Sequence, residues 1–107
     1  MRPQKQTNTR YGNMLYFLDD PVIGRSLELY GEYCHDEIEW MKTLTNPKSF
    51  VLDIGANIGL YSIYAAQRHN NIDILSFEPS TSNLRILSRN ISINNLNDKI
   101  KINQLPL

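Results

Sequence analysis

The residues of this chain best suited to chemistry lie in one run, Val51-Leu52-Asp53-Ile54-Gly55-Ala56-Asn57-Ile58-Gly59, and in an acid further on, Glu78. The run reads as a buried strand, a tight turn and the start of a helix. Gly55 lets the backbone turn where a Cβ would clash, and Gly59 is expected to let the following helix lie close to the sheet. Free N–H groups of the loop and helix start are expected to face an anionic group. Asp53 is placed to accept from a ligand ammonium, directly or through water. Glu78 closes the strand Leu75-Ser76-Phe77-Glu78-Pro79, 19 residues after Gly59. That separation brings a carboxylate to the hydroxyls of a ribose, where it accepts from two at once. Plainer roles exist: turn glycines, an Asp53 that holds loop amides, a solvated strand-end Glu78. The combination in the right structural context favours half of a nucleoside-cofactor pocket.

The elements that must position these groups follow in regular order. Phe50 to Ile54 reads as a strand, and Ile58 to about Arg68 as a helix with Tyr61, Tyr64 and Ala65 among its packing positions. His69-Asn70-Asn71 breaks it, and Ile72 to Phe77 is a second strand. Ser80 or Thr81 caps a helix to about Asn94, with Leu84, Leu87 and Ile91 on one face. Lys99 to Asn103 alternates polar and apolar and makes a third strand. The asparagines at 90, 94, 95, 97 and 103 read as composition bias. Strand, helix, strand, helix, strand is half of a doubly wound α/β sheet. Right-handed crossovers give the strand order 3-2-1.

The preceding part is a lead-in of a short β element and a helix. Residues 1–13 read as a flexible tail, 14–49 as the β/α lead-in, and 50–107 as a partial Rossmann-like cofactor-binding domain. Met14 to Leu18 is the β run, ended by Asp19-Asp20-Pro21. Ile23 to Leu29 is a short connecting element, since Gly24 suits neither a long helix nor a long strand. Residues 33–45 read as a helix with Ile38, Met41 and Leu44 as its apolar stripe. Asp36 followed by Glu39 resembles a capping box, and Asn46-Pro47 stops the helix. Trp40 reads as core or interface packing, Cys34 as ordinary packing, and His35 as a surface or cap residue.

Composition narrows the partners. Eleven Lys and Arg balance eleven Asp and Glu. A net charge of zero gives no electrostatic reason to expect nucleic acid or an anionic membrane. One cysteine permits no internal disulfide. No secretory signal is read at the start, and no apolar run approaches the ~20 residues of a membrane span. A cytoplasmic location is the default expectation, and no metal site is expected.

The glycine pattern then separates two cofactor classes. A dinucleotide site prefers G-x-G-x-x-G, whose second glycine admits the pyrophosphate. The matching run here is Gly55-Ala56-Asn57-Ile58-Gly59-Leu60, so that glycine is absent. Asp-x-Gly-x-Asn-x-Gly instead resembles motif I of class I S-adenosylmethionine-dependent methyltransferases. Over residues 14–105 the chain looks like the FkbM-type family of that class. The resemblance rests on Leu29-Tyr30-Gly31-Glu32-Tyr33, Asp36-Glu37, the run 51–59, Phe77-Glu78-Pro79, and Asn90 with Asn94-Asn95-Leu96.

What the resemblance implies is specific. Asp53, Gly55, Ala56, Asn57 and Gly59 would bind the methionine part of S-adenosyl-L-methionine, and Glu78, followed by Pro79, the ribose. Glu37 would also turn toward the cofactor, although helix capping is the preferred reading for it. Members of the family resemble O-methyltransferases acting on hydroxyls of sugars or polyketides, so a small-molecule acceptor is implied. The chain departs from the family after the third strand, where the adenine wall and acceptor pocket would follow, so it reads as a truncated product or partial sequence. No residue is named as catalytic base; His35 is a candidate in the loosest sense only. The first strand's outer edge would lack its neighbour and invite pairing with another chain. Two rivals stand beside this reading: a non-catalytic binding fragment that needs a partner chain, and an NAD-dependent oxidoreductase.

Overall fold

Three short apolar-rich strands between residues 50 and 103 form a parallel sheet. A computed structural model describes residues 2–104. Met1 and residues 105–107, which end the stretch assigned to the Rossmann-like part, lie outside the described residues. The elements are β1 (Gln4–Thr9), β2 (Gly12–Phe17), α1 (Ile23–Tyr30), α2 (His35–Thr43), β3 (Phe50–Ile54), α3 (Leu60–Arg68), β4 (Asp73–Phe77), α4 (Thr81–Ile93) and β5 (Ile100–Asn103). Strands β3, β4 and β5 pair in parallel in that order, with Val51 beside Ile74 and Ile74 beside Ile100. This is the 3-2-1 order expected from the sequence. Ser80 caps α4 as expected, accepting from the Asn83 N–H.

One face of the sheet is packed. Ile74, Ser76 and Ile100 are buried there, and α3 and α4 add Ile63, Ala65, Ala66, Ile86, Leu87 and Ile91 to the same core. The opposite face is bare at its end strand, where Phe50, Leu52 and Ile54 are 68%, 54% and 64% exposed. Parallel sheets are normally covered on both faces. Strand β3 also ends the sheet, so its outer backbone edge has no neighbour among the described strands.

The lead-in differs from the expectation. Most of the stretch 1–13, expected to be a flexible tail, is ordered: Gln4–Thr9 pairs antiparallel with Gly12–Phe17, with Gln4 opposite Phe17 and Thr9 opposite Gly12. The six residues of β1 are all polar, so the strand is held by its ladder and not by burial. The Arg2–Asp19 and Lys5–Glu28 ion pairs, at 2.9 and 2.8 Å, fasten this end of the chain to the segment after β2. The lead-in therefore holds two strands and two helices, not one of each. The short connecting element is a full two-turn helix, α1, in which Gly24 is buried.

Strand β2 is buried along Met14–Phe17, and one helix covers its free edge with asparagines. The Asn90 side chain is fully buried. Its Oδ1 accepts from the Leu15 N–H at 2.7 Å, and its Nδ2 donates to Leu15 O and Ile58 O, both at 3.0 Å. One turn later, Asn94 Nδ2 donates to Asn13 O at 2.9 Å. Four helical residues advance about 6 Å and two strand residues about 6.6 Å. Asn90 and Asn94 therefore meet alternate residues of β2 much as a neighbouring strand would. Reading them as composition bias was wrong.

Candidate methyl-donor pocket

Beyond Ile54 the chain turns through three left-handed residues, Gly55, Asn57 and Gly59, with φ of 75°, 56° and 102°. The turn is tied to β4. The N–H groups of Gly55 and Ala56 both donate to Phe77 O at 2.9 Å. The Asn57 N–H donates to Glu78 Oε1 at 2.7 Å, and the Ser80 N–H to Oε2 at 3.0 Å. The Gly59 N–H donates to Ala56 O at 3.0 Å. The expected free amides at positions 55, 56, 57 and 59 are thus already bonded within the loop and to the neighbouring strand's end.

The two glycines do different work. A Cβ built on Gly55 would meet nothing within 4 Å, so this side of the turn faces open space. A Cβ on Gly59 would lie 2.7 Å from Leu87 Cδ1 and 3.2 Å from Ile63 Cδ1. Gly59 therefore admits α4 and the side chains of α3, where the sequence reading had it admitting the sheet. Pro79 is exposed. It joins Glu78 to the Ser80 cap.

Beside Gly55 lies a cavity of about 270 Å³. Asp53, Gly55, Ala56 and Asn57 form one wall, and Tyr33, Cys34, Glu37 and Met41 from the lead-in form another. Gly59, Glu78 and Pro79 do not line it. Glu78 is buried behind the loop, with one hydrogen bond to each oxygen and lone pairs to spare.

Asp53 stands on the packed face of β3. Its Oδ2 accepts from the Ser62 hydroxyl at 2.5 Å, and Ser62 Oγ lies 2.8 Å from Ser76 Oγ. Burial pushes the Asp53 carboxyl above its usual range; the Ser62 bonds oppose the rise and the charge of Glu78 adds to it. The ionised form thus costs the fold stability. That cost is absent below the ordinary value of 3.8 and complete above the raised one. A cation arriving at Asp53 would offset it.

The second wall depends on α2, which is fixed by a buried aromatic cluster. Tyr11 Oη accepts from the Tyr33 N–H at 3.2 Å and lies 3.3 Å from His35 Nδ1. The His35 and Tyr64 rings meet edge to face at 5.1 Å. Tyr64 donates to Glu39, which also pairs with Lys42 at 3.0 Å. Several sequence readings are corrected here. His35 is buried, not a surface residue. The capping box is not formed: Cys34 stands at the N-cap with φ 44°, and Glu39 bonds Tyr64 and Lys42 instead. Cys34 is exposed at the cavity wall, not packed. Leu44 is 66% exposed and does not join the core, and Trp40 is 62% exposed, which overturns the core half of its core-or-interface reading. Glu37 faces the cavity and makes no capping bond. The sequence reading did not single out Tyr33, Cys34 or Met41 as wall residues, because no periodicity ties residues 33–41 to the turn at 55; Tyr61, read as a packing position of α3, also lines the cavity.

No protein-family profile matches the chain. A methyltransferase of Sordaria araneosa, sdnD, is 35% identical over 80 residues, which cover 75% of this chain and 29% of the relative. Among solved structures, Methanocaldococcus jannaschii Trm5 in complex with adenosine superposes with a TM-score of 0.70 at 19% identity. The match covers 95% of this chain and 29% of that one. Coclaurine N-methyltransferase bound to N-methylheliamine and SAH gives 0.62 at 17% identity, over 85% and 26%. The fold is the Rossmann-like methyltransferase fold. The chain spans 29% of the length of the curated relative. In open α/β sheets, ligands bind outside the carboxyl ends of the strands. In this example of the methyltransferase fold, Asp53, the Gly55 turn and Glu78 all stand at that end. A fold alone does not fix the reaction.

Proposed function

We propose that the chain is the cofactor-binding portion of an S-adenosylmethionine-dependent methyltransferase of FkbM type, acting on a hydroxyl of a sugar or secondary metabolite. The observation that carries this reading is the turn itself. Its amides at 55, 56 and 57 are bonded to Phe77 and Glu78, so they do not form a pyrophosphate cradle. The open side of Gly55 and the desolvated Asp53 instead suit an amino-acid end, whose ammonium would meet the carboxylate. Glu37, on the opposite wall, adds a second carboxylate. Glu78 holds the turn and has lone pairs left for ribose hydroxyls. When bound, S-adenosylmethionine supplies an electrophilic methyl group. The residues of this chain orient it; none is assigned as a base, because methyl transfer relies largely on positioning. A cytoplasmic setting and a small-molecule acceptor belong to the same reading.

Calorimetry with S-adenosylhomocysteine and with NAD tests it. S-adenosylhomocysteine should bind at least tenfold more tightly; tighter binding of NAD would restore the oxidoreductase. A second reading, a non-catalytic binding fragment that needs a partner chain, draws on the bare face of Phe50, Leu52 and Ile54. Methyl transfer by the isolated chain would exclude it.

A further inference from the structure

A second groove lies apart from the Asp53 cavity and shares no wall residue with it. It is about 500 Å³ and is lined by Arg2, Pro3, Gln4, Arg85 and Arg89. Among the described residues, no carboxylate lines it. Arg2 is held in place: its guanidinium pairs with Asp19 at 2.9 Å and lies 3.7 Å over the Phe17 ring. Arg85 and Arg89 are different. They stand one turn apart on α4, both exposed, and none of the chain's 11 acids pairs with either among the described residues. Like charges at i and i+4 destabilise a helix. Among the described residues, no ion pair or hydrogen bond offsets this one.

A neighbouring depression of about 360 Å³ shares both arginines and adds Ser88, Thr81, Leu84 and Ile102 to its wall. Two unpaired guanidinium groups beside a hydroxyl and a short apolar strip match a phosphorylated small molecule. The planar forks of Arg85 and Arg89 suit phosphate oxygens, and Leu84 with Ile102 would meet a less polar body. We propose that this groove binds the phosphate or diphosphate end of a small organic molecule, through Arg85 and Arg89 with Arg2 at its rim. The site stands independently of the methyl-donor reading, since the two share no residue.

Inorganic pyrophosphate is the probe. It is titrated into the isotope-labelled chain at constant ionic strength, with chloride as the reference anion. Saturable shifts are expected at residues 85–89 and around Arg2. R85Q/R89Q should weaken binding tenfold or more, R89Q alone several-fold, and R25Q, an exposed arginine that lines neither depression, not at all. Circular dichroism confirms that these exposed replacements leave the fold intact. Three results would overturn the proposal: no saturation, equal weakening by R25Q, or displacement of pyrophosphate by a short RNA that binds a hundredfold more tightly. The last would assign the surface to nucleic acid.

Discussion

Replacing Asn90 with alanine will remove roughly 3–5 kcal/mol of stability, a large part of what a domain of this size has. The side chain serves three buried backbone groups: the N–H and O of Leu15 and the O of Ile58. Alanine leaves all three unpaired, and each unmade buried bond costs about 1–3 kcal/mol. Aspartate does not rescue the site, because it cannot donate to the two carbonyls. Asn94→Ala is the internal comparison. Asn94 reaches the exposed Asn13 O, where water can replace it, so about 1 kcal/mol is expected. Urea unfolding measures both. A loss below 1 kcal/mol for Asn90→Ala would show that the edge of β2 does not depend on this residue.

Glu78→Gln should lower the affinity for S-adenosylhomocysteine by about 10- to 100-fold, or about 1.4–2.8 kcal/mol. Both carboxylate oxygens accept backbone N–H bonds, from Asn57 and from Ser80. Glutamine can serve only one of them and turns a donor toward the other. The loop therefore loosens even with no ligand present, and about 1–2 kcal/mol of stability goes with it. A direct ribose contact predicts something more. The 2′-deoxy analogue should bind the natural chain at least tenfold more weakly, while the variant should barely distinguish the two. Equal discrimination by both proteins would leave Glu78 as a positioning residue for the turn.

How far the sequence reached is clearest at particular residues. Phe50 to Ile54 was legible because valine, leucine and isoleucine mark a strand and glycine marks its end. Ser80 was legible as a cap because it precedes an apolar helical face. Strand β1 was not, because all six of its residues are polar and its partner supplies what holds it. Asn90 and Asn94 looked like composition because nothing in a sequence says which helix will lie along which open strand edge. Cys34 and His35 were misplaced for a related reason. The left-handed N-cap of α2 turns the thiol outward and the imidazole into the Tyr11–Tyr64 cluster, and that reversal depends on packing across 24 or more residues. At the candidate site, the loop and its acid were legible as a set. The wall from α2 was not, because it arrives through tertiary contact alone.

The pocket beside Asp53 is tested most directly by titrating S-adenosylhomocysteine into the labelled chain and following backbone amides. Saturable shifts confined to Asp53–Asn57, Tyr33–Glu37 and Glu78–Ser80 are the predicted result. Shifts spread over the bare sheet face with none at Gly55, or no saturation at all, would contradict it.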